Sequence, residues 1–164
     1  MIIELGRFFE ATGDYAAFAH PMDVSGVEIW GVRPFLEPVL LKGEIKNHAG
    51  VVTISYTAEF TDFSPCDRCG AQINRPTQYK FNHTLVTTLE GEEVNDLILV
   101  ENNRLDLDDL ALSDILLELP SKHLCTAACK GLCPKCGTNL NQGECGCEKH
   151  EIDPRLAVLK TLLN

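Results

Sequence analysis

The clearest pattern in the chain is strict alternation. Val51–Phe60 places Val52, Ile54, Tyr56, Ala58 and Phe60 on one face. Gln78–Leu89 repeats the period through Tyr79, Phe81, His83, Leu85 and Thr87. Period two over ten or more residues predicts strands with one face buried. Ser25–Val32 and Val39–Lys46 read as further β-type segments, separated by Pro34 and Pro38, and Asn47-His-Ala-Gly50 predicts a hairpin turn. Glu4–Phe18, with Leu5, Phe8, Phe9, Ala16 and Phe18, reads as a segment packed on a core, strand and helix both open.

The period changes after Asp96–Val100, a short strand, and Glu101–Arg104, a turn. From Asp106 to Leu119 a helix is expected, with Leu107, Leu110, Ile115, Leu116 and Leu119 as its apolar stripe. Asp106, Asp108 and Asp109 suit its N-terminus and Pro120 ends it. Beyond Lys122 there is little to bury until Asp153-Pro154, an N-cap and first-turn pair opening a short helix with Leu156, Leu159, Leu162 and Leu163.

Four cysteine pairs change this picture most. Cys66/Cys69, Cys125/Cys129, Cys133/Cys136 and Cys145/Cys147 use all eight cysteines of the 164 residues. In a Cys-x-x-Cys-Gly turn both sulfurs face one ion, so eight sulfurs make two four-sulfur sites, for which Zn²⁺ is the default occupant and iron a possible one. Disulfides need an oxidising compartment. Met1–Glu10 carries Glu4, Arg7 and Glu10 and does not read as a secretory signal. No apolar run reaches the roughly 18 residues of a membrane span, so a cytoplasmic protein with reduced thiols is expected. The fold class expected is α+β: an antiparallel β meander or open barrel, a few short helices and a C-terminal zinc-bound segment. Residues 1–121 form the β-rich core with its acidic helix. Residues 122–164 form the cysteine-rich tail and a helix packed on the core.

Loop closure favours nearby ligands. Cys133, Cys136, Cys145 and Cys147 then form a local site. Cys66, Cys69, Cys125 and Cys129 form a long-range one, stapling the sheet's end to the segment after the helix. The alternative division joins the two Cys-x-x-Cys knuckles, residues 66, 69, 133 and 136. His123 and His150 flank the clusters as expected bystanders. Four thiolates leave no open position for catalysis. A β-type run, not a helix, follows Cys69, unlike a thioredoxin-type motif.

Net charge is −10, against a simple basic nucleic-acid coat. The acids concentrate in a belt from Glu90 to Glu118, where Glu90, Glu92, Glu93, Asp96, Glu101, Asp106, Asp108, Asp109, Asp114 and Glu118 face Arg104 alone. The tail carries Lys122, Lys130, Lys135, Lys149, Arg155 and Lys160.

Cys66-Asp-Arg-Cys69 at a strand end, Leu105-Asp-Leu107 opening a helix and Leu119-Pro120 are specific features. So are the run Cys129-Lys-Gly-Leu-Cys133-Pro-Lys-Cys136-Gly-Thr-Asn-Leu-Asn141, then Cys145-Gly-Cys147, and Asp153-Pro-Arg-Leu-Ala157. Together they resemble the YceD family of bacterial and plastid proteins, also called large ribosomal RNA subunit accumulation proteins. The resemblance is dense from Cys66 to Leu163. It implies a non-enzymatic factor needed for normal levels of large-subunit ribosomal RNA. Some members keep the Cys66/Cys69-type pair, carry His/Cys where Cys125 and Cys129 stand, and lack the Cys-Pro-x-Cys-Gly cluster. In such a factor the expected partner is a large-subunit precursor, met through a basic ribosomal protein on the acidic belt or through RNA on the lysines of the tail. No membrane and no small-molecule substrate is expected. The competing class is a redox or zinc-dependent enzyme using a Cys-x-x-Cys motif.

Overall fold

Alternation builds the sheet where the sequence places it. The computed structural model describes residues 1–29, 31–88 and 97–147. Elements in chain order are β1 (Ile2–Glu4), α1 (Gly6–Glu10), β2 (Tyr15–Met22), β3 (Val39–His48), β4 (Val51–Asp62), β5 (Arg75–Val86), β6 (Leu97–Leu99), β7 (Arg104–Asp106) and α2 (Leu107–Glu118). Five strands form one sheet in the order β2-β3-β4-β5-β6, and β1 pairs with β7 beside it. The large sheet is an open meander, antiparallel except where β6 runs parallel to the end of β5. The architecture is α+β.

The β3–β4 hairpin turns on two residues. Ala49 and Gly50 have φ of 54° and 87°, and positive φ at both positions suits the right-handed twist of paired strands. Asn47 secures the turn, accepting from Gly50 N at 2.9 Å and donating to the Phe8 carbonyl of α1. On β4, Val52, Ile54, Tyr56, Ala58 and Phe60 are buried, facing the same side as Val39, Leu41 and Ile45 of β3. Gly43 stands opposite Tyr56 and Phe18. A β-carbon there would sit 2.3 Å from the Ser55 carbonyl and 2.5 Å from Tyr56 Cβ, so only glycine fits.

Helix α2 covers the buried face. Leu107, Ala111 and Ile115 recur every fourth residue and are fully buried. Leu110 and Leu119 pack partly against them, while Leu116 points outward, a departure from the expected stripe. Asp106 caps the helix, its side chain accepting from Asp108 N at 3.0 Å. Two polar clamps tie α2 to the sheet. Asp108 Oδ1 meets His20 Nε2 of β2 at 2.9 Å. Asp114 accepts from the Tyr56 hydroxyl and meets His83 Nε2 of β5 at 2.7 Å.

Three expectations change. Ser25–Val32 does not form the expected strand: Asp23 takes up the Ser25 amide, and among the described residues β pairing is limited to one bridge, Ile29 with Val32. Gly26, Gly31 and Pro34 interrupt any longer ladder. Glu4–Phe18 divides among the end of β1, α1 and the start of β2. The Asp96–Val100 strand is Leu97–Leu99, with Asp96 outside the described residues. The C-terminal helix expected from Asp153 also lies outside them.

Candidate metal centres

The first knuckle grows from the end of β4. After Asp62 the chain leaves the ladder, and Pro65 forms an isolated bridge with Gln72. Inside that bridge, Cys66 N donates to the Ala71 carbonyl and Gly70 N to the Cys66 carbonyl, both at 2.8 Å. Gly70 has φ of 69°, the left-handed conformation that glycine adopts without penalty. The second knuckle repeats this turn. Leu132 bridges Asn139, Cys133 N donates to Thr138 O, Gly137 N donates to Cys133 O, and Gly137 has φ of 73°. The same turn thus carries both Cys-x-x-Cys pairs.

The eight sulfurs gather into two groups. Cys66, Cys69, Cys125 and Cys129 form one; Cys133, Cys136, Cys145 and Cys147 form the other; within each group all sulfurs lie within 4.8 Å of one another. This is the division that loop closure favours, and the two Cys-x-x-Cys knuckles do not share a group. All eight cysteines are free. Cys66 Sγ stands 3.8 Å from Cys129 Sγ, and Cys69 Sγ 3.7 Å from Cys125 Sγ. A disulfide needs about 2.05 Å. A tetrahedral ion with metal–sulfur bonds of about 2.3 Å sets its ligand sulfurs about 3.8 Å apart. The donor set therefore fits a four-coordinate metal ion and leaves no fifth position.

Backbone amides favour thiolates here. The Cys125 amide, with those of Arg68 and Cys69, holds the Cys66 thiol down at about 6. The Asn141 side chain, followed by the Gly131 amide, lowers Cys129. Cys69 has the Ala71 amide in its favour, yet burial and the sulfurs around it push it up to about 12. The second group repeats the split. Thr138 holds Cys136 at about 6, and the bond to Cys136, with burial, raises Cys147 to about 12. Sulfurs this close cannot all ionise against one another without a cation between them.

The two groups differ in setting. Cys66, Cys69 and Cys129 are buried with Ile73 in a small apolar cluster of their own, backed by Leu124. Arg68 Nη1 donates to the Cys129 carbonyl at 2.7 Å and Arg75 Nη2 to the Leu124 carbonyl at 2.9 Å. Both arginines thus hold the tail on the end of the sheet. In the second group only Cys133 is buried, and Cys136 is exposed.

His123 joins neither group. Its Nδ1 faces Asp62 Oδ2 at 3.3 Å, and its backbone N–H donates to Asp67. Ser64 also donates to Asp62. These three side chains have the composition of a hydrolytic triad but the wrong order: the carboxylate stands in the middle, and the hydroxyl donates to it and not to the imidazole. They are a buried clamp between sheet end and tail. His150 lies outside the described residues. Sequence reasoning missed this clamp, Arg68, Arg75 and Asn141, because side-chain-to-backbone bonds leave no periodic trace.

The acidic belt is not one surface. Asp106, Asp108 and Asp114 are engaged in holding α2, as cap and clamps. Glu101, Asp109 and Glu118 face solvent. Glu90, Glu92, Glu93 and Asp96 lie outside the described residues. Among the described residues no helix is long and apolar enough to cross a membrane.

The family model described as "Large ribosomal RNA subunit accumulation protein YceD" matches residues 54–163. The uncharacterised protein YlbN of Bacillus subtilis is 27% identical over 135 residues, covering 78% of this chain and 76% of its own. An uncharacterised Mycobacterium tuberculosis protein is 29% identical over 116 residues, 68% of this chain. The chain spans 56% of that relative's length. The Arabidopsis thaliana protein named large ribosomal RNA subunit accumulation protein YCED homolog 1, chloroplastic, is 49% identical over 37 residues, 23% of this chain and 12% of its own. No solved structure matches.

Proposed function

Because the chain belongs to the YceD family of large ribosomal RNA subunit accumulation proteins, we propose that it is a non-enzymatic, zinc-stabilised factor that sustains large-subunit ribosomal RNA. The observation that carries this reading is the pair of closed four-sulfur groups at one end of the sheet. Closed tetrahedral sites supply folding energy, not an open coordination position. Cys66, Cys69, Cys125 and Cys129 would hold one metal ion and Cys133, Cys136, Cys145 and Cys147 a second, which would neutralise the thiolates and fix the tail on the β-rich body. Residues 1–121 then act as the body and the cysteine-rich tail as its appendix. The site of action is the cytoplasm, and the partner is a precursor of the large subunit.

Contact through a basic ribosomal protein agrees with the net charge of −10 and uses Glu101, Asp109 and Glu118 with the acids before them. Contact through RNA is favoured by Lys130 and Lys135, exposed on the second knuckle beside the exposed Leu132. A redox reading is favoured by Cys136, exposed and held at about 6. The four-sulfur group gives that thiolate a ligand's task instead.

The test is complementation. A strain lacking the gene is expected to show a lowered ratio of large- to small-subunit ribosomal RNA, restored by the parent protein and not by Cys66→Ser. The triple variant Glu101→Gln, Asp109→Asn, Glu118→Gln is expected to fold, keep its metal and restore RNA only in part. Full restoration by that variant, with failure of Lys130→Glu/Lys135→Glu, makes RNA the partner. An unchanged RNA ratio in the deletion strain refutes the reading.

A further inference from the structure

The two knuckles touch, and one contact ends on a ligating sulfur. Asn141 Nδ2 lies 3.3 Å from Cys129 Sγ, a member of the first group. The amide's orientation is fixed by its other end. Asn141 Oδ1 accepts from the Lys130 backbone N–H at 2.8 Å, so the oxygen faces the donor and the NH₂ faces the sulfur. Asn139 Oδ1 accepts both from the Asn141 backbone N–H at 3.0 Å and from its side chain at 2.9 Å. A second contact runs backbone to backbone: Leu132 N donates to the Arg68 carbonyl at 3.1 Å, inside the first knuckle. Gly131 permits this approach, since a β-carbon there would lie 3.0 Å from Arg68 O.

Asn141 belongs to the second group by position. It falls between Cys136 and Cys145, in the loop that this group closes. Its hairpin is small: Leu140 N donates to Gly131 O at 2.9 Å and Leu132 bridges Asn139. Between Lys130 and Cys147 only Gly131 and Cys133 are buried. Among the described residues little apolar surface is buried here, so the order of this loop rests on these hydrogen bonds and on its own metal.

We infer that the second four-sulfur group tightens the first, with Asn141 as the positioning residue that carries the coupling. Metal in the second group fixes both ends of the loop and sets Asn141 against Cys129. The N–H donated to Cys129 then stabilises the thiolate that the first metal needs. Hydrogen-bond partners of ligands are worth about 10–100-fold in metal affinity. Because Asn141 is exposed, the lower end of that range applies. The coupling is reciprocal: metal in the first group raises the second group's affinity by the same factor. In this reading the second knuckle is a support for the first site. The inference rests on the reading of both groups as metal sites.

The experiment is a thermodynamic cycle on the whole chain, with Zn²⁺ affinity measured by chelator competition and Co²⁺ as the spectroscopic probe. Four proteins are compared: parent, Asn141→Ala, Cys145→Ser/Cys147→Ser, and all three changes together. The parent is expected to hold two ions. Asn141→Ala is expected to keep two, with first-site affinity about tenfold lower and the sulfur-to-cobalt charge-transfer band of that site shifted to lower energy. Cys145→Ser/Cys147→Ser is expected to keep one ion, weakened by a similar factor. The triple variant is expected to be no weaker than the double, since the donor is already displaced. Multiplicative losses in the triple variant, or unchanged first-site affinity in Asn141→Ala, overturn the inference. So does loss of the second ion in Asn141→Ala. A parent that holds no metal overturns instead the reading of the groups as metal sites.

Discussion

Cys66→Ser and Cys129→Ser are expected to abolish cooperative folding near physiological temperature, while Cys145→Ser and Cys147→Ser leave the sheet folded. The first group joins residues more than fifty positions apart and sits in its own buried cluster. Cys129 is 1% exposed, so serine there loses a ligand and leaves a buried hydroxyl among unpaired thiolates. Loss of a structural zinc removes free energy comparable to the whole stability of a domain, roughly 5–15 kcal/mol. The second group organises the segment 131–147, most of it exposed. Its loss removes order from the tail and, through Asn141, about a tenfold factor from the first site. Thermal melts followed by far-UV circular dichroism decide the matter. Equal losses at both groups contradict the account.

Asp114→Ala is expected to cost about 2–3 kcal/mol, the range for leaving buried donors without their carboxylate acceptor. Asp114 and His83 have side chains only 12% and 17% exposed, and the Tyr56 hydroxyl binds the same carboxylate. Burial, then the Asp114 carboxylate, pushes the Tyr56 phenol up, so it stays a neutral donor. Alanine leaves that hydroxyl and the imidazole under α2 with no acceptor. Tyr56→Phe removes one donor and is expected to cost about 1 kcal/mol. Combining the two is expected to cost less than their sum, since both act on one cluster. Urea unfolding of the metal-loaded protein measures this. A loss within about 0.5 kcal/mol for Asp114→Ala would mean that α2 is held by Leu107, Ala111 and Ile115 alone.

The parts of the fold legible in the sequence are those with a local cause. Val51–Asp62 reads as a strand because its alternation is unbroken and one face is buried. Its hairpin with Val39–His48 reads from Asn47-His-Ala-Gly50, where a glycine meets the demand for positive φ. Helix α2 reads from Asp106 at its cap and Pro120 beyond its end. The grouping of the sulfurs follows from loop length, because short loops cost least entropy to close. What stayed hidden is nonlocal. Leu97–Leu99 runs parallel to β5, and β1 finds β7 across about a hundred residues; no periodicity records either pairing. Asp108 and Asp114 read as members of one acidic belt because charge alone does not show that His20, His83 and Tyr56 approach from the sheet. Asn141 looks like any polar residue after a knuckle until its distance to Cys129 is known.

The central claim is that the eight cysteines hold two metal ions. It is tested most directly by native mass spectrometry with elemental analysis of protein purified without chelator. Four ligands per structural site and two groups of four sulfurs predict two zinc ions per chain and no thiol titratable until the metal is removed. Protein with no bound metal and eight freely titratable thiols would contradict it.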